Sequence, residues 1–123
     1  MNNIINPENE TVKRMSLRVP KGMIPDIEKN VSDSGYNKKQ RTLWFEDILK
    51  EFFEIENYLD LVAEEYIKAG TTKTISLIVS LENFEKIKDT VKLVNEVENE
   101  DTDRSSVIRT AILQRLLKSV NYE

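Results

Sequence analysis

The 123-residue chain is 39% hydrophobic, contains neither cysteine nor histidine, and has a formal net charge of -4. Its length fits a single domain, and the missing residue types exclude disulfides, thiol nucleophiles, imidazole bases and the common zinc sites. No apolar run approaches the ~20 residues that span a bilayer, and no signal pattern stands at the N-terminus. We therefore expect a cytoplasmic protein that is not an enzyme, needs no cofactor or metal, and does not associate with membranes.

The charges are unevenly distributed. Residues 13–41 contain eight basic and three acidic side chains, whereas residues 42–66 contain one lysine and eight acids. The resulting local charges of +5 and -7 determine the field that a polyanion would meet, although the total is acidic. The basic segment is a candidate binding surface. The acidic segment is interpreted as a solvated back face or, alternatively, as a protein-binding surface.

The first elements are an arm and a strand. Residues 1–12 are polar with little periodicity, which predicts a flexible N-terminal arm. Residues 13–20 then alternate between two faces, as in a half-buried strand. The apolar face consists of Met15, Leu17 and Val19. The opposite face consists of Arg14, Ser16 and Arg18.

Two helical patterns follow the strand. Residues 20–34 predict a short helix that ends with Gly35 as its C′ residue. Asn37 and Gln40 form a capping-box pattern, and we expect the next helix to continue to about Ile55. Its apolar stripe, which we assign to the core, consists of Trp44, Ile48, Leu49, Phe52 and Phe53. Residues 58–69 predict a connecting helix that ends at Gly70.

The second half of the chain repeats this order. Residues 73–80 match residues 13–20 at an offset of sixty. The apolar face of this strand consists of Ile75, Leu77 and Val79, and the other face of Thr74, Ser76 and Ile78. Ser80 is the predicted N-cap of a helix with apolar positions at Leu81, Phe84, Ile87, Val91 and Val94. After an acidic turn at residues 98–103, Asp103 caps a final helix with a predicted buried stripe of Val107, Ile108, Ala111, Ile112, Leu116 and Val120.

The two strand patterns predict the architecture. A lone strand cannot satisfy its backbone groups, and no third strand pattern is evident, so the two strands are expected to pair with each other. The expected fold is mainly α with a two-stranded antiparallel β-ribbon. Residues 13–56 and 72–123 form two similar units, which residues 57–71 connect within one compact domain.

The tandem strand-helix-helix pattern resembles the ribbon-helix-helix family of DNA-binding proteins, which includes the Arc and methionine repressors. Residues 14–20, the Gly35 turn and residues 104–109 carry the likeness. In that family two protomers form a ribbon that enters the DNA major groove. Here the resemblance implies an intramolecular pseudo-dimer, as in the tandem accessory proteins of conjugative relaxosomes.

The resemblance also implies site residues by position. The base-contacting positions are Arg14, Ser16, Arg18, Thr74, Ser76 and Ile78. The phosphate-contacting positions, in the first turn of each second helix, are Lys38, Lys39, Arg41, Thr42, Arg104, Ser105 and Ser106. An arginine fork suits guanine, whereas Ile78 offers only apolar contact, so we expect an asymmetric reading head. The alternative interpretation is that the arginines are solvated charges that protect a ribbon edge.

The expected function is sequence-specific binding of double-stranded DNA, as a transcriptional repressor or a conjugation accessory protein. Several chains are expected to associate on adjacent DNA sites, because one ribbon reads only a few base pairs. The alternative is a protein-interaction module, such as an antitoxin or adaptor, whose acidic helices bind a protein partner.

Overall fold

A computed structural model describes residues 12–65, 71–97 and 102–121, the last three of them by their backbone only. Within these residues the order is strand, three helices, strand and two helices. The strands are β1 (Val12–Pro20) and β2 (Thr72–Ser80), and the helices are α1 (Met23–Asp33), α2 (Arg41–Phe53), α3 (Tyr58–Ala63), α4 (Leu81–Val97) and α5 (Arg104–Asn121). The predicted N-terminal arm lies outside the described residues, apart from its last residue, Val12, which begins β1.

The two strands form an antiparallel two-stranded sheet, as the alternation predicts. The register places Ser16 directly opposite Ser76, so the strands are centred on equivalent residues of the two repeats. The inward face is buried at Met15, Leu17, Val19, Leu77 and Val79, while Ile75 is half-buried. The polar face of β1 is exposed throughout. The protein is therefore mainly helical, with one ribbon that buries one face and presents the other.

Helix α1 starts later than the sequence indicates and ends where predicted. Pro20 pairs with Thr72, and the backbone N–H of Lys21 donates to the carbonyl of Thr71 at 3.1 Å. Because these bonds to the second strand continue to Lys21, the helix begins only at Met23. At the other end Gly35 has a φ of 93°. The N–H of Tyr36 bonds to the carbonyl of Val31, which with the Gly35 bond to Ser32 forms a Schellman motif.

Helix α2 supplies the largest buried side chains. Trp44, Ile48, Leu49 and Phe52 are buried as predicted, and Phe45 is buried as well. The indole N–H of Trp44 donates to Oδ1 of Asn30 at 3.0 Å, which satisfies its polar atom inside the core. The core assignment of Trp44 is confirmed.

Helix α3 is shorter than the predicted connecting helix. It ends at Ala63, where Glu64 caps it in helical conformation, and the predicted continuation to Gly70 lies partly outside the described residues. Tyr58 packs edge-on against Phe52 and Phe53, with ring centroids 5.7 and 5.5 Å apart. This aromatic cluster joins α3 to the end of α2.

Both helices of the second half begin at their predicted caps. Ser80 Oγ accepts the N–H of Asn83 at 3.1 Å, and Asp103 Oδ1 accepts the N–H of Ser106 at 2.9 Å. The buried residues include Ile87 and Val94 on α4, and on α5 they include Val107, Ile108, Ala111 and Ile112. The side chain of Val120 lies outside the description. Helix α4 has 17 residues against 11 in α1. It begins directly after its strand, whereas a turn of two residues precedes α1, and it also continues further at its C-terminal end.

The helices are interleaved with respect to the two strands. Helix α5 contacts β1, helix α2 contacts β2, and α2 and α5 contact each other. Residues of both halves therefore form one hydrophobic core beneath the ribbon. This packing places the start of α5 at one end of the exposed face and the start of α2 at the other end.

Candidate nucleic-acid interface

The outward face of the ribbon brings the six predicted base-contacting residues together. Opposite each other across the ladder lie Arg14 with Ile78, Ser16 with Ser76, and Arg18 with Thr74. Five of these side chains are exposed, and Ile78 is half-buried. Each end of the face therefore carries one arginine, and small hydroxyl side chains occupy its centre.

Arg14 extends along this face toward its centre. Its Nη1 lies 3.4 Å from Oγ of Ser76, a long contact for a hydrogen bond. Both groups are exposed. The guanidinium therefore retains donors that can pair with an acceptor brought to the face.

The Arg18 end of the ribbon is fixed to α5 through its backbone. The N–H of Arg18 donates to Ser105 Oγ at 3.0 Å, and its carbonyl accepts from Nη1 of Arg109 at 2.7 Å. Arg109 is only 3% exposed and also pairs with Glu65, with Nε 2.9 Å from Oε2. A buried ion pair thus holds the strand from which the Arg18 side chain projects.

Asp103 faces the same arginine from the start of α5. Its Oδ1 accepts from the N–H and hydroxyl of Ser106 at 2.9 and 3.0 Å, while Oδ2 lies 3.8 Å from Nη2 of Arg18. Burial opposes ionisation, but the Ser106 hydrogen bonds and the charges of Arg109 and Arg18 outweigh it and lower the pKa of Asp103 below its ordinary value of 3.8. The side chain of Asp103 therefore carries a negative charge at neutral pH, beside the exposed cation Arg104 at the first position of α5.

The three predicted phosphate contacts on α5 differ in their surroundings. Arg104 is exposed, and its guanidinium carbon lies 5.0 Å from the ring centroid of Phe84. Ser105 is half-buried and accepts the Arg18 N–H. Ser106 is buried, its N–H and hydroxyl bond to Asp103, and its oxygen accepts from Arg109. The N–H and hydroxyl of Ser106 are thus hydrogen-bonded within the protein, and its phosphate contact stays a prediction.

The start of α2 presents the opposite charge. Asn37 caps a short 3-10 turn, Lys38–Gln40, that leads into the helix. Both bonds of the predicted capping box are present, at 2.9 Å each. Lys38, Lys39 and Thr42 are exposed and Arg41 is half-buried. The 3-10 turn and the first residue of α2 thus combine a neutral cap, Asn37, with three cations, Lys38, Lys39 and Arg41.

The contacts that hold the ribbon ends were not predicted from the sequence. On α2, Glu46 accepts the N–H of Ser80 at 2.7 Å and an amide N–H of Asn83 at 3.1 Å. Residues 41–45 and 104–108 begin the second helix of each half and can be aligned with each other. The next position of this alignment holds Glu46 in the first half and Arg109 in the second. The sequence shows only that both positions hold a charged residue, and the packing of each helix on the strand of the other half, which gives these residues their role, comes from the structure.

A groove lies between α2 and α5, distinct from the ribbon face. Its volume is about 610 Å³, and its apolar lining consists of Ile48, Phe52, Ile55, Ala111 and Leu117. Glu51 and Arg115 at its edge form an ion pair at 2.8 Å. The groove therefore combines an apolar lining with residues of the acidic segment at its edge.

Two other features, a metal-binding cluster and a membrane-spanning helix, are absent from the described ranges. No cluster of three or more acidic side chains there could hold a metal ion. Among the described helices, none has the length and apolarity required to cross a bilayer. No family model, curated protein or solved structure matches the chain.

Proposed function

We propose that the chain binds double-stranded DNA sequence-specifically, with its β-ribbon in the major groove, as a transcriptional repressor or a conjugation accessory protein. The observation that carries the proposal is the exposed outward face of a two-stranded ribbon with Arg14 and Arg18 at its two ends. The major groove admits a two-stranded ribbon, and an arginine fork pairs with O6 and N7 of guanine. Ser16, Ser76 and Thr74 add hydroxyl groups that can bond to other bases.

The proposed architecture is a tandem ribbon-helix-helix pseudo-dimer in one polypeptide. The register supports it, because Ser16 and Ser76, equivalent residues of the repeat, lie opposite each other. The interleaved packing also supports it, since α5 contacts β1 while α2 contacts β2. Two protomers that exchange strands would pack in this way. The differences between the halves, with Ile78 in place of Arg18, make the proposed target non-palindromic.

The proposed phosphate contacts are concentrated at the start of α2. Backbone N–H groups at a helix start bind anions, and cations there oppose the helix dipole unless an anion is present. Lys38, Lys39 and Arg41 supply that positive charge. Glu46 ties α2 to Ser80 at the end of β2, so this helix start lies at the Arg14 end of the ribbon.

Selection of a preferred site from a random duplex library tests this function, because the length and symmetry of the site also report how many chains bind. We expect Arg18→Ala to weaken binding to that site by about 1–3 kcal/mol and to affect random duplex less. Lys50→Ala removes the same charge from an exposed position on the acidic segment and serves as the control. Equal losses on all sequences would make Arg18 a backbone contact, and failure to enrich any site would reject sequence-specific binding.

A second candidate function is binding of a protein partner through the acidic helices. The observation that favours it is the apolar groove between α2 and α5, beside the acids Glu51 and Glu54. In that case substitutions on the ribbon face would leave the interaction intact. Purified protein that fails to retard any duplex at low salt would favour this function over DNA binding.

A further inference from the structure

The two helix starts at the ends of the ribbon are capped by residues of different charge. Asn37 caps the turn into α2 with a neutral amide, whereas Asp103 caps α5 with a carboxylate. Both side chains accept a backbone N–H at 2.9 Å. The two caps therefore share the backbone hydrogen bond and differ in charge, and Asp103 also accepts the hydroxyl of Ser106.

The carboxylate of Asp103 also contacts the guanidinium of Arg18, a contact that Asn37 lacks in the described structure. Its free oxygen lies 3.8 Å from the guanidinium of Arg18, and both side chains are more than half exposed. An exposed pair of this kind contributes little to stability. A better acceptor can displace Asp103 from Arg18 at little cost.

We propose that Asp103 is a specificity-determining residue, which excludes DNA phosphate from the start of α5 and releases Arg18 only to a base edge that binds it bidentately. This inference rests on the proposed function. A phosphate that approaches the start of α5 meets the exposed cation Arg104 and also the like charge of Asp103, and the repulsion from Asp103 weakens the contact for every sequence. Guanine offers two acceptors to Arg18 and presents no charge to Asp103. Nonspecific binding is thereby weakened more than binding to the preferred site.

The test compares Asp103→Asn with the reciprocal change Asn37→Asp. Asparagine and aspartate cap helices equally well, so each variant changes charge while keeping the cap. We expect Asp103→Asn to tighten binding to random-sequence duplex by about two- to fivefold, the size of a charge effect at a helix end. The preferred site should gain less, so the ratio of the two affinities falls. Asn37→Asp should weaken binding to both duplexes by a similar factor.

The salt dependence separates this role from a change in folding. If Asp103→Asn admits one more phosphate, the slope of log affinity against log salt steepens by about 0.9, measured between about 50 and 200 mM salt. Unfolding in urea of each variant verifies that the cap is kept. Wild-type protein that binds no duplex would overturn both the proposed function and this inference. Wild-type protein that selects a site while Asp103→Asn leaves the affinity ratio and the slope unchanged would overturn the inference alone.

Discussion

The two ends of the ribbon are held to the helices by opposite chemistry. At one end Arg109 of α5 donates to the carbonyl of Arg18, and at the other Glu46 of α2 accepts the N–H of Ser80. Arg109 and Glu46 occupy matching positions of the two repeats, yet one is buried in an ion pair and the other is half-buried. Side chains of opposite charge, bonded to different backbone groups, thus hold the two ends of the ribbon to α5 and α2.

The largest effect is expected at the Arg109 end. Arg109→Met should lower the free energy of unfolding by about 3–5 kcal/mol, because Glu65 loses its buried partner. Urea unfolding measures this as a lower midpoint at an unchanged m value. The double variant Arg109→Met, Glu65→Met removes both charges and should recover most of the loss. A double variant less stable than the single one would contradict this account of the ion pair.

A smaller effect is expected at the Glu46 end. Glu46→Ala should lower the free energy of unfolding by about 1.5–3 kcal/mol, because the N–H of Ser80 and the amide of Asn83 lose a charged acceptor. Hydrogen exchange at the Ser80 amide should become faster. Lys50→Ala, an exposed change on the same helix, should stay within about 0.5 kcal/mol of wild type. Unchanged exchange at Ser80 would show that Glu46 does not hold this strand end.

The smallest effect is a pH dependence at the Asp103 end. Because its pKa is lowered in the folded protein, ionised Asp103 stabilises the fold at neutral pH, and this contribution is lost as the pH falls through the lowered value, below 3.8. Unfolding of wild type and Asp103→Asn across this range should show a difference that closes in acid. A difference that persists at the lowest pH would assign the effect to packing instead of charge.

The features that depend on neighbouring residues of the chain were predicted correctly from the sequence. The alternation of β1 and β2, the capping box at Asn37, the caps at Ser80 and Asp103 and the turn at Gly35 are all present where the sequence predicts them. Each of these depends on residues within a few positions of one another. The predicted start of α1 was wrong by three residues, because Pro20 still pairs with Thr72 and residues 21 and 22 form a turn before the helix begins at Met23.

The remaining features depend on segments that are distant in the chain. The sequence by itself determined that two half-buried strands and their following helices recur, because periodicity and capping are local properties of side chains. Only the tertiary structure decided that α5 packs on β1, and so brought Asp103, Ser105 and Arg109 to Arg18. It also decided that Ser106 is buried and Glu46 is bonded to the ribbon. Local patterns cannot specify such pairings, since they arise from how two helices share one core.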